Sequence, residues 1–459
     1  MPLATDPGVR SAIGLLEAWL ESQLAYRGWP GLSIGILHDQ ELIWARGFGH
    51  ASLDRGERAT PETLYRIASI SKLFTSTAVL QLRDAGKLRL DDPLTQHVPW
   101  FKIGQSHPEA PPITIEHLLT HTAGLPRELG FPYWTTSDFP TEEDARKRLP
   151  EQRTALPTET SWKYSNLGLA LAGEVVAAAA GQPFEQYVTE RILKPLGMNR
   201  TFVKTPTKDE RGLATGYTRR LPTGSRTETP FTDGRWITPA ANMTTSVTDL
   251  ARFAMLQFRD GPAAGAQVLR GSTLREMHRV HWIDPDFATP WGLGFTVWRD
   301  KEKTFVGHGG SCPGFKSQLL MHTLDEIAIV VMANAQGVDT GRLAQRAYEI
   351  LGPAINTAVK ADAPAKALDS SLEQYAGTYA SGFGGEVAFF PWEDGLGMIG
   401  LPSTDPMAGL VKWKKAGAHT FRRMRKDETL AESLVFEMPP DGKAAARIIW
   451  HDNRYTRVK

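Results

Sequence analysis

Apolar residues Val9, Ile13, Leu16, Leu20 and Leu24 recur at near-helical spacing and predict an amphipathic opening helix over 9–26. Trp29-Pro30 breaks it, and Gly31 to Leu37 reads as a strand, with a turn at His38-Asp39-Gln40-Glu41 before a second strand, Leu42 to Ala45. A second apolar-periodic segment starts at Tyr65 and ends near Gly86. Thr114 to Pro126 is a capped helix stopped by Gly124 and Pro126. Residues 127–160 are rich in Pro, Thr and charge and carry Phe131, Tyr133, Trp134 and Phe139; an irregular excursion of this length is expected to be a lid or binding loop. Helices follow over 169–180 and 184–200, then a polar, turn-rich stretch over 203–238, a second candidate for substrate-facing loops, and a helix start at Thr245 to Phe253. A run of strands comes next, over 291–298, 304–310, 318–321 and 327–334, and a long helix over 339–352. Strands at both ends with helices between them predict one sheet assembled from both ends of the unit, flanked by helices, with an all-helical insertion in the middle.

The pattern changes after that helix. Residues 353–371 are Ala-, Pro- and Lys-rich, as in a linker, and from Leu372 short alternating runs separated by turns predict a small β domain. The expected division is 1–355, a linker over 356–371, and 372–459.

Composition adds exclusions. With 459 residues, 41% apolar and 22% charged, the chain is an ordinary globular protein, and a formal net charge of +1 gives no electrostatic case for nucleic acid or an anionic membrane. No stretch approaches 18 consecutive apolar residues, and the start has no charged region followed by an apolar one, so the cytoplasm is expected, or the periplasm if a leader has been removed. The one cysteine, Cys312, excludes an internal disulfide framework and a multi-cysteine metal site, and is read as a small packed residue.

Candidate chemistry centres on Ser69 and Lys72. On a helix, positions i and i+3 share a face, which puts the amine one turn from the hydroxyl, and a serine hydroxyl needs an adjacent base to act as a nucleophile. Two other stretches gain meaning beside it. Tyr164-Ser165-Asn166 alone reads as a helix-capping turn; His308-Gly309-Gly310 alone reads as a strand end or the oxyanion loop of another hydrolase fold. Gly31-x-Ser33-x-Gly35 has the letters of a nucleophile elbow, but Pro30 precedes it and strand formers follow where the elbow needs a helix, so Ser33 is read as a strand residue. His117 and His121 lack the His-Glu-x-x-His arrangement, and no metal or cofactor is assigned.

Taken in order, Ser69-x-x-Lys72, Tyr164-Ser165-Asn166 and His308-Gly309-Gly310 resemble the motif set of the β-lactamase-related serine hydrolases: class C β-lactamases, family VIII carboxylesterases and D-aminopeptidases. The resemblance covers about residues 10–352, including the phrases Leu118 to Leu125 and Lys194 to Met198, and the tail is similar to the lipocalin-like domain appended to some members. It implies an α/β (α+β) fold, a β-lactamase/penicillin-binding-protein-like antiparallel sheet flanked by helices with an all-helical region, plus a small C-terminal antiparallel β-barrel. It implies Ser69 as nucleophile, Lys72 and Tyr164 as the groups that take its proton, Asn166 orienting Lys72 or a substrate amide, and His308, Gly309, Gly310 and Ser311 on the oxyanion strand, the Ser69 and Ser311 backbone N–H groups being the donors. Free lysine and tyrosine titrate at about 10.4 and 10, so charge coupling would favour the ionised pair, and the sequence names neither as sole base. Where β-lactamases carry a lysine, this chain has His308, which is mostly neutral at pH 7 and argues against an obligate carboxylate substrate.

The expected function is therefore hydrolysis of a small-molecule ester or amide through an acyl-enzyme. A D-aminopeptidase or D,D-peptidase is the alternative, and a catalytically silent scaffold or sensor the alternative of another class; against the last, a scaffold has no physical need for Ser69, Lys72 and Tyr164 together. The expected partner is the small-molecule substrate, and the β domain is a candidate for homodimerisation or for covering the cleft.

Overall fold

The computed structural model describes residues 2–207, 210–261, 266–361, 367–382 and 384–459. These fall into two compact units, Met1–Trp29 with Gln345–Lys459, and Pro30–Ala344.

In the first unit, helix α1 (Pro7–Arg27) starts where Asp6 accepts the Val9 amide at 3.0 Å, with proline at the first helical position, and stops at Gly28 in the left-handed region (φ 58°). The second unit opens with β1 (Gly31–His38) and β2 (Glu41–Ser52), followed by the short β3 (Glu57–Arg58) and β4 (Tyr65–Arg66). Helices α2 (Ser71–Asp84), α3 (Ile115–Thr120) and α4 (Asn166–Ala180) build the helical region. Strand β5 (Thr244–Thr245) pairs with β4, and α5 (Val247–Leu256) begins at the Ser246 cap and packs on β1. Strands β6 (Thr296–Asp300), β7 (Lys303–Cys312), β8 (Phe315–His322) and β9 (Ile327–Ala333) complete a seven-stranded antiparallel sheet in the order β3-β2-β1-β9-β8-β7-β6. The sheet is thus assembled from both ends of the unit, as expected. Strand β9 is buried at every residue, which is why Ile327 to Ala333 shows no alternation: both of its faces are covered.

Five local expectations need correction. The helix read over 114–126 ends at Thr120, where His121 takes the left-handed conformation (φ 61°), short of Gly124 and Pro126. Residues 127–160 are not irregular throughout, since they contain helical turns at Tyr133–Thr136 and Glu142–Arg148, the latter opened by a Thr141/Asp144 capping box. The 184–200 helix is α-helical only over Phe184–Val188 and continues as a π turn over Thr189–Leu193. Trp291 makes only isolated bridges, with Trp282 and Thr296, so the strand starts at Thr296. The last helix, α6 (Thr340–Lys360), runs past 352 with Pro353 inside it and takes in the first residues of the stretch read as a linker; 362–366 lie outside the described residues.

After α6 come β10 (Gly377–Ser381), β11 (Glu386–Trp392), β12 (Gly395–Leu401), β13 (Val411–Lys415), β14 (Thr420–Met424), β15 (Leu430–Glu437), β16 (Arg447–Trp450) and β17 (Asn453–Arg457). They close into an antiparallel barrel, β17 pairing back onto β10. Its interior is filled by aromatic side chains, among them Tyr375, Tyr379, Phe389, Trp413 and Phe436. Helix α1 packs on β11, with Trp19 Nε1 donating to Ser403 O at 2.9 Å.

Candidate active site

Ser69 sits on a 3₁₀ turn, Ala68–Ile70, that leads straight into α2. Ala68 holds φ +47°, a left-handed conformation that costs a non-glycine residue about 1–3 kcal/mol. The turn is held in that shape from two sides: the Ile67 amide donates to Met243 O at 3.0 Å, and Ser317 Oγ donates to Ile67 O at 2.9 Å. Strand β7 comes so close here that a Cβ on Gly310 would lie 2.1 Å from Ile67 O and 2.1 Å from Ser317 Oγ. Glycine is therefore required by close approach.

One turn along α2, Lys72 is wholly buried. Its Nζ lies 3.3 Å from Ser69 Oγ, 2.7 Å from Asn166 Oδ1 and 2.8 Å from Ala240 O. Burial draws its pKa down to about 7; nearby Glu128 opposes the fall and Arg127 adds to it. The Tyr164 hydroxyl hydrogen-bonds Ser69, and burial pushes the phenol up, the Ser69 bond and Arg127 pulling the other way. The two groups thus move in opposite directions from the ionised pair that charge coupling favours: desolvation of both outweighs their mutual attraction, leaving a phenol beside an amine that is half neutral near pH 7.

Tyr164 is boxed by rings. His121 lies 4.3 Å from it between centroids, and Trp162, Trp291 and His308 lie at 6.0–6.2 Å. His308 donates from Nδ1 to Gly309 O at 2.6 Å, and burial, followed by the charge of Lys72, lowers its pKa to about 3. It is neutral, as its ordinary pKa suggested, and the site holds it so more firmly. His121 accepts the Ser165 amide at Nδ1 (3.2 Å) and is also kept neutral by burial.

Asn166 opens α4, capped by Ser165, whose Oγ accepts the Gly168 amide at 2.9 Å and donates to Pro126 O at 2.7 Å. The capping turn and the site motif are thus the same residues. Asn166 Nδ2 donates to Glu128 Oε1 at 2.7 Å, and Glu128 Oε2 accepts the Tyr133 hydroxyl. Ser69, Tyr164, His308, Gly309, Gly310 and Ser311 line one cleft of about 770 Å³, with Arg127, Arg219, Lys316 and Trp291 around it; Lys72 and Asn166 lie beneath its floor at Ser69. Sequence reading missed Glu128, Arg219 and Lys316, which belong to loops or strand positions without motif or periodicity. Ser33, by contrast, is a β1 residue whose Oγ donates to Thr60 O at 2.7 Å and lies 2.9 Å from Tyr65 Oη, away from any nucleophile elbow. Cys312 is buried, and burial raises its thiol pKa.

The Beta-lactamase family model matches residues 16–352. "Beta-lactamase-like protein 2" of Dictyostelium discoideum is 30% identical over 326 residues, 69% of this chain and 58% of that protein. "Protein flp" of Staphylococcus aureus (strain MW2) is 29% identical over 70% of this chain and 62% of its own length, so the chain spans about three fifths of these relatives. Among solved structures, the octameric penicillin-binding protein homologue from Pyrococcus abyssi aligns over 97% of this chain and all of its own (TM-score 0.65, 23% identity). The D-stereospecific amidohydrolase from Streptomyces sp. aligns over 73% of this chain and 97% of its own (0.60, 22%). The beta-lactamase/D-alanine carboxypeptidase from Pseudomonas syringae aligns over 74% and 98% (0.62, 20%). These likenesses carry the fold, and with the family match over most of its length the chain belongs to the Beta-lactamase family, a superfamily whose members are generally serine hydrolases.

Proposed function

We propose that this protein hydrolyses an ester or amide of a small molecule through an acyl-enzyme on Ser69. The observation that carries the reading is Lys72: a wholly buried amine, brought to a pKa of about 7, at 3.3 Å from Ser69 Oγ. When Lys72 is neutral, its two N–H bonds satisfy Asn166 Oδ1 and Ala240 O, and its lone pair is left for the Ser69 proton. Ser69 Oγ then attacks the substrate carbonyl carbon, and the resulting oxyanion is held by the backbone N–H groups of Ser69 and Ser311. Tyr164, kept as a phenol, protonates the leaving oxygen or nitrogen as the C–O or C–N bond breaks. The proton held by Lys72 then passes to the Tyr164 phenolate, and Lys72, neutral again, takes a proton from the water that attacks the acyl carbon and returns it to Ser69 Oγ as the acid leaves.

Neutral His308 supplies no fixed cation for a substrate carboxylate, which favours a neutral ester or amide. A second reading, a peptidase cutting beside a terminal carboxylate, is favoured by Arg219 and Lys316 at the cleft and by two structural neighbours, an amidohydrolase and a D-alanine carboxypeptidase. The test is p-nitrophenol release from p-nitrophenyl butyrate by the wild type beside Ser69→Ala. Loss of nearly all turnover in the variant is expected; equal rates refute the reading, and release of D-alanine from a D-Ala-D-Ala peptide without ester turnover establishes the second one.

A further inference from the structure

The amine of Lys72 can act as a base only if its lone pair faces Ser69, and that depends on two acceptors holding its N–H bonds elsewhere. One is a backbone carbonyl, Ala240 O, fixed by the chain; the other is the side-chain amide of Asn166, whose oxygen and nitrogen can exchange places by a half turn. With the nitrogen toward Lys72, two donors would meet, and Lys72 would lose an acceptor. What sets the amide is on the far side. An ionised carboxylate can only accept, and Glu128 Oε1 stands 2.7 Å from Asn166 Nδ2. The flipped amide would bring its oxygen against that carboxylate, so both ends of Asn166 lose a hydrogen bond at once.

Glu128 is itself anchored. Its other oxygen accepts from Tyr133, which is wholly buried with its ring 5.1 Å from Phe139 and 5.7 Å from Trp134, and the Arg127 Nε lies 3.5 Å from Oε1. The backbone N–H of Asn166 donates to Arg127 O at 2.8 Å, tying the start of α4 to the same loop. We infer that Glu128 is a positioning residue that fixes the amide of Asn166, and through it directs the Lys72 lone pair onto Ser69. This rests on the reading of Lys72 as the base. It also explains a carboxylate and a phenol at the start of a loop otherwise read as a lid: Tyr133, Glu128 and Asn166 form a buttress behind the nucleophile.

Several charged or titratable groups face Lys72. Glu128 raises its pKa and Arg127 lowers it; Tyr164 presents its ring at 4.8 Å and stays protonated; His121 and His308 are neutral. Removing the Glu128 charge therefore moves the acid limb of kcat/KM to lower pH, because Lys72 loses its proton more readily.

The experiment measures kcat, KM and the pH profile with p-nitrophenyl butyrate for wild type, Ser69→Ala, Glu128→Gln, Glu128→Met and Tyr133→Phe, with melting curves to compare folding. Glu128→Met removes both charge and acceptor. It is expected to lower kcat about 10- to 100-fold with KM within about threefold, as misplacement of a catalytic group does. Glu128→Gln keeps an oxygen for Asn166 and is expected to hold kcat within about fivefold of wild type while its acid limb moves to lower pH. Tyr133→Phe, which keeps the ring, is expected to lower kcat about threefold and serves if the methionine variant does not fold. Unchanged kcat in Glu128→Met or in Tyr133→Phe, an effect on KM alone, an unmoved acid limb in Glu128→Gln, or a loss in Glu128→Gln as deep as in Glu128→Met each overturns the positioning role while Ser69→Ala remains inactive. Turnover that survives Ser69→Ala, or a wild type without turnover, overturns the parent reading as well.

Discussion

Burying Lys72 imposes a stability cost with a definite pH window. The unfolded amine titrates at 10.5 and the folded one at about 7, so between those values the unfolded chain binds more protons and stability must rise with pH. The cost is complete below pH 7 and vanishes above the unfolded value; the interval corresponds to about 5 kcal/mol. Lys72→Met removes the amine at similar volume, but leaves Asn166 Oδ1 and Ala240 O without their donor, at about 1–3 kcal/mol each. Near pH 7 the two effects are of similar size and opposite sign, so a single melting temperature decides nothing. The slope does. Wild type should gain on Lys72→Met by about 1.4 kcal/mol per pH unit above pH 7, or about 3 kcal/mol between pH 7.5 and 9.5. Calorimetry of both proteins at pH 6, 7.5, 8.5 and 9.5 reads this from whichever transition the substitution moves, with the difference flat below pH 6.5. Stability curves that stay parallel from pH 7 to 9.5 would show that Lys72 keeps an ordinary ammonium, and the argument for it as the base would fail with them.

Activity should follow the same group, with the acid limb of wild-type kcat/KM near pH 7 and rate rising with pH through it, read from p-nitrophenyl butyrate profiles. His308→Lys restores a cation at the oxyanion strand and should raise nitrocefin hydrolysis about tenfold or more, the value of a hydrogen bond to a charged group; no gain would mean that the neutral ring is not what disfavours carboxylates. Gly310→Ala forces a Cβ into Ile67 O, a backbone atom that cannot step aside, so turnover should fall about 100-fold with the melting temperature lowered; wild-type turnover would contradict the close approach of β7 to the nucleophile turn.

The geometry of the candidate site was legible where it follows a short period. Lys72 meets Ser69 because they are three apart where the 3₁₀ turn runs into α2, and the Tyr164 motif doubles as the cap of α4, whose apolar run announces it. That one sheet is assembled from both ends of the unit was legible from the β-forming runs there, whereas the order of its strands was not. The direction of the pKa changes was not, because charge coupling can be argued from residue types whereas burial cannot. Glu128 was missed for a related reason: its partner Asn166 lies 38 positions away, and no local pattern joins them. The helix over Glu142–Arg148 was legible in principle, since Thr141 and Asp144 have capping-box spacing, but proline and charge in the stretch masked it. Pro353 suggested an end to α6 that the helix does not take.

The clamp on the Ser69 turn has a consequence for synthesis. Ile67 O is held by Ser317, 250 positions further along, and β1 meets β9 on one side of the sheet only after both have left the ribosome. At about 5–20 residues per second, the ribosome needs about 10–50 s to travel from the turn to its clamp. Through that interval the nascent chain carries Ser69 and Lys72 but neither the cleft nor the desolvation that lowers the amine's pKa, while one edge of β1 stands open. On the proposed function, reactivity therefore arrives late and all at once, when β9 pairs with the waiting edge of β1 and carries β8 and β7 with it, and a ribosome stalled before residue 317 holds an inert serine.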